Sequence, residues 1–292
     1  MKPLETAEYV EQAYLFRLLR QRHEEQLPMQ DLLRQIGFEL LSTTKLPMAI
    51  DFLATELRHS GLMSPAMERL GHYFTPFQTF LIAKAEEEAG RFTMGAALQI
   101  LEAEAEYRTR RRDPMPDPRD GSTQRPPTTP QGMFFYHFEA ISRNRLSYDG
   151  GLLASSQDPI FTADWARWIL VVRNQLGLVD LADLIFLSSE EYRDKMLAAG
   201  KPFEVQRSLL FGNKEGRIAL GNRGRDPLFL FAAMQRHLGY PEVPRPKPLD
   251  ENRDLIPQMA RRIERLESRL KLLEDERRGG VDITKFYEKP GG

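Results

Sequence analysis

The chain has 292 residues, enough for one large domain or two of ordinary size, either of which can bury a core without covalent or metal staples. It contains no cysteine, which removes zinc ribbons, thiol nucleophiles, iron–sulfur ligation and disulfide frameworks together, and which suits a reducing compartment such as the cytoplasm. A net charge of −1 with 28% charged residues gives no global attraction to nucleic acid or anionic lipid, so any basic site has to be local.

The opening stretch, MKPLETAEYVEQAYLF, places Glu5, Glu8 and Glu11 where a secretory peptide needs an unbroken apolar run. The most apolar run elsewhere, WILVV at 168–172, is too short to span a bilayer. The expectation is a soluble, untargeted, cytoplasmic protein with no membrane partner.

Residues 1–112 read as an N-terminal helical domain with helices near 6–26, 28–43, 47–60, 64–73, 75–89 and 93–112, joined by short connections that imply antiparallel neighbours. Ser64-Pro65, Thr75-Pro76 and, further on, Asp226-Pro227 each offer an N-cap oxygen followed by proline in the first turn. Ser188 and Glu191 have capping-box spacing, and glycines 61, 90, 200 and 239 follow helical stretches as left-handed terminators would. No segment combines β-branched enrichment, strict alternation and a hairpin dipeptide. The predicted class is therefore all-α: two helical-hairpin or bundle domains followed by a C-terminal coiled-coil helix.

A local pattern recurs at QLPMQDLL (26–33), RFTMGAAL (91–98) and RLSYDGGL (145–152), where an apolar residue precedes Pro, Thr or Ser and a leucine closes the segment. The middle copy, GRFTMGAAL, resembles the turn inside a tetratricopeptide hairpin over about a dozen residues. The resemblance implies helical hairpins. The copies are unequally spaced, so no repeat family and no peptide-binding residues are carried over.

Segment 113–131, DPMPDPRDGSTQRPPTTPQ, holds six prolines and almost nothing apolar, and reads as a linker between domains. The following domain, 132–240, carries aromatics in FFYHF (134–138) and at Phe161, Trp165, Trp168, Phe186, Phe211, Phe229 and Phe231, whose helical spacing reads as core packing. Trp165 with Trp168 and Ile169, and Leu228 with Phe231, are each expected to line one helical face.

Motifs for catalysis are scarce. The histidines His23, His59, His72, His137 and His237 fall one to a region, and the single Glu-x-x-His, Glu56 to His59, lacks the second copy that a di-iron bundle needs. No metal, no cofactor and no catalytic residue is assigned. There is no Gly-x-Ser-x-Gly; only a triad dispersed along the chain stays open. Glutamates 86–88 and Glu102, Glu104 and Glu106 read as solvated. The run YRTRRR, ending at Arg112 with Tyr107 beside it, offers a modest basic patch; a helix acidic upstream and basic in its last turn explains it better than nucleic-acid binding.

GNKEGRIALGNRGRDP, 212–227, is the one segment with the makings of a ligand site. Asn222 and Arg223 stand where a P-loop requires lysine and a hydroxyl, so it is no Walker motif. Lys214, Arg217, Arg223 and Arg225 gather in a glycine-rich stretch before the Asp226-Pro227 cap and form a candidate anion site for a phosphorylated ligand or nucleic acid. The competing reading is ordinary turn chemistry with the arginines paired to acidic neighbours.

PEVPRPKP begins a proline-rich spacer, 241–249, best explained by polyproline stiffness. Within 250–278, Ile256, Met259, Ile263, Leu266, Leu270 and Leu273 alternate spacings of three and four, an a/d heptad seam. Arg262 and Arg269 then fall at g, and Glu267 and Glu274 at e, which pairs opposite charges across a parallel homodimer. The same helix folding back on its own domain is the competing arrangement, with a trimer third. The tail 279–292, GGVDITKFYEKPGG, reads as flexible. The chain as a whole reads as a non-enzymatic scaffold or adaptor: a homodimer through a parallel coiled coil, binding protein partners, with anion or nucleic-acid binding at 212–227 as the alternative.

Overall fold

The computed structural model describes residues 2–23, 27–87, 91–110, 126–200, 202, 208–244 and, beyond these, 263, 264, 266, 267 and 270. Thirteen helices are named among the described residues: α1 (Thr6–His23), α2 (Met29–Gly37), α3 (Leu46–Ser60), α4 (Ser64–Arg69), α5 (Pro76–Glu86), α6 (Met94–Arg108), α7 (Pro130–Arg143), α8 (Tyr148–Ser156), α9 (Ala163–Gln175), α10 (Leu181–Leu187), α11 (Glu190–Ala198), α12 (Asn213–Gly221) and α13 (Pro227–Leu238). No strand forms among the described residues. Two isolated bridges, Leu176 with Val179 and Ser189 with Phe211, join loops. The protein is therefore all-α, and no described helix is long and apolar enough to cross a membrane.

Local chemistry explains most helix starts. Thr75 accepts from the backbone of Gln78, whose side chain accepts from the Thr75 N–H in return, a complete capping box with Pro76 following. The three recurring segments open α2, α6 and α8; Thr93 and Ser147 cap the last two, and their closing leucines Leu33, Leu98 and Leu152 are buried. Asp226 caps α13. Gly61, Gly200 and Gly239 all take the left-handed conformation after their helices, while Gly90 lies outside the described residues.

Two caps depart from expectation. Ser189, one residue after the expected Ser188, caps α11, because Ser188 ends α10 and its carbonyl accepts from Leu210 and Phe211. Ser64 lies inside α4, whose first N–H groups at Met63 and Ser64 donate to the Glu86 carboxylate at 2.6 and 3.1 Å. A charge from the end of α5 thus replaces a side-chain cap.

Helix α7 organises the centre. Every residue from Gly132 to Ile141 is buried, so the FFYHF run is apolar all round because it is covered all round. Its start lies against the end of α6: a Cβ on Gly132 would stand 2.2 Å from the Tyr107 hydroxyl oxygen. Tyr136 donates to the Ile100 carbonyl of α6 at 2.7 Å, and Tyr240 after α13 donates to Glu139 of α7 at 2.7 Å. Helix α1 runs along the other side of α6, with Arg17 bonded to Glu102 and Glu106 and Arg20 to Glu102.

Helices before and after the proline-rich segment thus share one apolar cluster running from Ala13 to Val243. Residues 111–125 of that segment lie outside the described residues; Thr129 and Pro130, at its end, cap and open α7. The start of the 241–249 spacer packs on the body, with Val243 buried, and Arg110 donates to the Gly239 carbonyl beside it at 2.7 Å. Leu228 and Phe229 are exposed, so α13 turns Leu230, Phe231 and Met234 inward instead of pairing Leu228 with Phe231.

Candidate functional site

The most unusual chemistry lies where α5, α6, α7 and α8 meet. Glu104 and Arg108 sit one turn apart on α6, on the face that also carries Ala97 and Leu101, and both side chains are enclosed. Arg108 Nε donates to Glu104 Oε1 at 3.1 Å, and its Nη1 donates to Asp158 Oδ1 at 3.2 Å; Nη2 completes the fork to both carboxylates. His137, at the middle of α7, faces Glu104 Oε1 through Nε2 at 3.2 Å and Ser155 Oγ through Nδ1 at 2.9 Å. Phe77 of α5 stacks on the imidazole, centroids 3.7 Å apart, and Phe161 meets it edge-on. Glu104 Oε2 is buried and has no hydrogen-bond partner.

Electrostatics here is set by burial against pairing. Desolvation is the largest influence on Glu104 and raises its carboxyl, but the Arg108 charge and the His137 hydrogen bond together hold it below the usual glutamate range. Desolvation likewise works against the Arg108 cation, and the Asp158 and Glu104 carboxylates reverse it and push the guanidinium up. Burial pushes the Tyr136 hydroxyl well above its ordinary value, so it stays neutral beside this cluster.

Two chemistries fit the residue types, and the geometry tests both. Ser155, His137 and Glu104 form a hydroxyl–imidazole–carboxylate chain of the kind that activates a nucleophile. Ser155 and His137 are fully enclosed, however, so a carbonyl substrate reaches Oγ only if α5–α8 separate. The dispersed triad left open by the sequence thus has its members together without access. Glu104, His137 and Asp158 also offer ligand atoms within 4.8 Å of one another. These three do not read as metal ligands, because the Arg108 guanidinium lies between the two carboxylates and already supplies the positive charge there.

Segment 212–227 divides differently from its glycine pattern. Residues Asn213–Gly221 form α12, and only 222–226 turn. Gly216 is a close-approach glycine, since a Cβ there would stand 2.4 Å from Ser189 Oγ. Of the four candidate cations, Arg217 bonds Glu191 of α11 at 2.8 Å and Arg223 pairs with Asp183 of α10, while Lys214 and Arg225 are exposed. The hydrogen bond to Arg217 holds Glu191 below the usual carboxylate range. The Gly224 N–H donates to Asp180 at 2.7 Å, and the position of a Cβ on Gly212, the α12 cap, lies 2.8 Å from Glu215 Oε2. Carboxylates thus occupy several of the places where an anion would meet backbone N–H groups.

The basic run ending at Arg112 is dismantled by the fold. Arg108 belongs to the buried cluster, Tyr107 is buried, and Arg110 lies over the Tyr107 ring and bonds Gly239; Arg111 and Arg112 lie outside the described residues. Glu104, expected to be solvated, is enclosed for the same reason, whereas Glu102 and Glu106 face Arg17 on the opposite side of α6.

Of the heptad positions, Ile263, Leu266, Glu267 and Leu270 are described; Ile256, Met259, Arg262, Arg269, Leu273 and Glu274 lie outside the described residues, as does the tail 279–292. The described positions are helical, and Ile263, Leu266 and Leu270 are 53%, 53% and 57% exposed. No protein-family model, curated protein or solved structure matches this chain.

Proposed function

We propose that the protein is a non-enzymatic helical scaffold that forms a parallel homodimer through its C-terminal heptads and presents its helical body to protein partners. The observation that carries this reading is the exposure of Ile263, Leu266 and Leu270 on helical residues. Aliphatic residues repeating at a and d on an uncovered helix gain most by meeting an identical seam, and the g-to-e order Arg262 to Glu267 and Arg269 to Glu274 favours the parallel partner. This reading assigns the enclosed Ser155–His137–Glu104 chain to packing.

Light-scattering mass after size exclusion tests this over a range of concentrations. The full chain is expected at twice the monomer mass, and the full chain carrying Ile263→Glu and Leu266→Glu at the monomer mass with unchanged helicity. A monomeric parent chain at high concentration sinks the reading.

A second reading, a module that binds a phosphorylated ligand or nucleic acid through Lys214, Arg217, Arg223 and Arg225, draws on the exposure of Lys214 and Arg225 next to two surface ion pairs that an anion could compete for. It requires salt-dependent binding of RNA or inorganic phosphate that survives the heptad substitutions and disappears in Arg223→Ala/Arg225→Ala.

A further inference from the structure

Phe38, at the end of α2, is 92% exposed, and Met48, in the first turn of α3, is 76% exposed; Leu41 lies exposed in the turn between them. A Cβ on Gly37 would stand 3.7 Å from Ile50, so the end of α2 and the start of α3 adjoin, and the three apolar side chains share one end of this hairpin. The turn is held firmly. Its Leu41 N–H donates to Glu11 at 3.0 Å and its Lys45 N–H to Glu8 at 2.9 Å, both carboxylates are buried, and the second oxygen of Glu8 accepts from the Tyr73 hydroxyl at 2.8 Å. Two buried carboxylates thus fix a turn whose apolar side chains stay in solvent, an arrangement that lowers the ordering cost of binding there.

The charges around these side chains select the occupant. Asp31, Arg34 and Phe38 follow three-and-four spacing along the exposed face of α2, and Lys45 and Asp51 stand three residues to either side of Met48 at the start of α3. All four charged side chains are exposed, and none has an ion-pair or hydrogen-bond partner among the described residues. Two unpaired charges of each sign around an apolar centre make a self-complementary surface, on which a second copy related by a two-fold axis can meet cation with carboxylate. A polyanion or an anionic lipid surface would gain from the two cations and be repelled by the two acids. Where Leu178, Leu228 and Phe229 are exposed, the charges are already engaged: Arg223 pairs with Asp183, and Asp180 and Asp226 accept from backbone N–H groups.

With about 200 Å² as a ceiling for each side chain, the three apolar groups fall short of the about 800 Å² per partner that a free-standing interface buries. A tether removes that shortfall. A parallel coil brings the two Ile256 residues together, and the chain from Pro244 to Leu255 spans at most about 40 Å, against a radius of gyration of about 18 Å for a body of this length. Each face of one body can therefore reach the same face of the other, at the millimolar effective concentration of a short linkage.

We propose that the two bodies of the homodimer meet through their α2–α3 ends, with Phe38, Leu41 and Met48 of one protomer against the same residues of the other. This pairing rests on the coiled-coil reading above. It turns two independently tethered bodies into one unit whose remaining faces stand at a fixed distance and orientation, so that protein partners bound to the two protomers are held in register.

The chain has no cysteine, so a single introduced thiol reports its own contacts. Full chains carrying Leu41→Cys or Leu178→Cys are treated with a short-armed bismaleimide, after light scattering has recorded the mass of each. Leu178 is the more exposed, 85% against 57%, so exposure alone favours linking through its thiol. The expected order is the reverse: Leu41→Cys joins two chains at least about 10-fold faster than Leu178→Cys, the difference between a held contact and a tethered encounter. Adding Phe38→Ser and Met48→Ser, both at exposed positions, is expected to bring the Leu41→Cys rate down to that of Leu178→Cys while the mass stays that of a dimer. Equal rates for the two single thiols in chains of dimer mass overturn the pairing and leave the coil standing. A monomer mass without linking overturns the coil and the pairing with it. Fast linking of Leu41→Cys that persists with Ile263→Glu and Leu266→Glu refutes the tethered arrangement, because the faces then bind without the coil.

Discussion

Arg108 and Arg223 each pair with an aspartate from another part of the chain, and there the likeness ends. The Arg108 side chain is 4% exposed and that of Asp158 fully enclosed, while Arg223 is 52% exposed and its partner Asp183 26%. At the α6–α8 joint the ion pair is part of the interior, and removing any member strands the others away from water. On the surface at 212–227 each charge that loses its partner is simply hydrated. The same residue types thus form a structural keystone in one region and an interchangeable surface in the other, and substitutions can break or sharpen the contrast.

The largest effect is expected at the keystone. Arg108→Ala leaves Glu104 and Asp158 without the guanidinium between them, which costs about 3–5 kcal/mol of folding stability by the usual measure of a broken buried pair. Urea unfolding of the full chain should show the midpoint falling accordingly. A change of under about 1 kcal/mol, the range of an exposed pair, would mean that water reaches the cluster and that the two regions do not differ in kind.

A smaller effect probes the packing that closes the joint. Gly132→Ala sets a methyl group against the Tyr107 hydroxyl and the Thr129 cap oxygen, 2.2 and 3.2 Å from where the Cβ stands. Tyr107 is buried and its ring cannot swing away, so α7 must shift from α6 at a cost of about 1–3 kcal/mol. The same substitution at Gly221, which has nothing within 4 Å, meets no such resistance and serves as the control.

What the sequence made legible was local. The Thr75 and Asp226 caps and the left-handed Gly61 and Gly239 depend on a few neighbouring residues, and each stands where the sequence placed it. The cluster depends on residues from 104 to 158 and was not anticipated, though part of it was written in α6. Ala97, Leu101, Glu104 and Arg108 follow the three-and-four spacing of the buried face, so a complementary pair one turn apart inside an apolar stripe marks an enclosed salt bridge. Glu102 and Glu106, on the opposite face, disguised it as a run of solvated acids. His137 and Asp158 had no such signal, because partners on other elements meet only once the helices pack. Gly216 misled for a related reason: glycine serves both for turns and for close helix approach, and the Ser189 contact that decides between them is not local.

The smallest effect is expected at Arg223, and it bears on function as well as stability. Arg223→Ala breaks a pair whose partner, Asp183, stays solvent-accessible in the first turn of α10, where the N-terminal end of the helix favours a negative charge with or without the arginine. Loss of the pair therefore costs at most about 1 kcal/mol and should leave the urea midpoint nearly unmoved. The loop does not depend on it, since the Gly224 N–H is held independently by Asp180. A surface pair that contributes little to folding leaves its arginine available to another anion. Parent and variant compared for phosphate or RNA binding at low and high salt thus separate the two readings of this segment: equal and negligible binding leaves Arg223 as surface decoration on a scaffold, whereas a salt-sensitive loss confined to the variant, with stability unchanged, makes the segment a binding site.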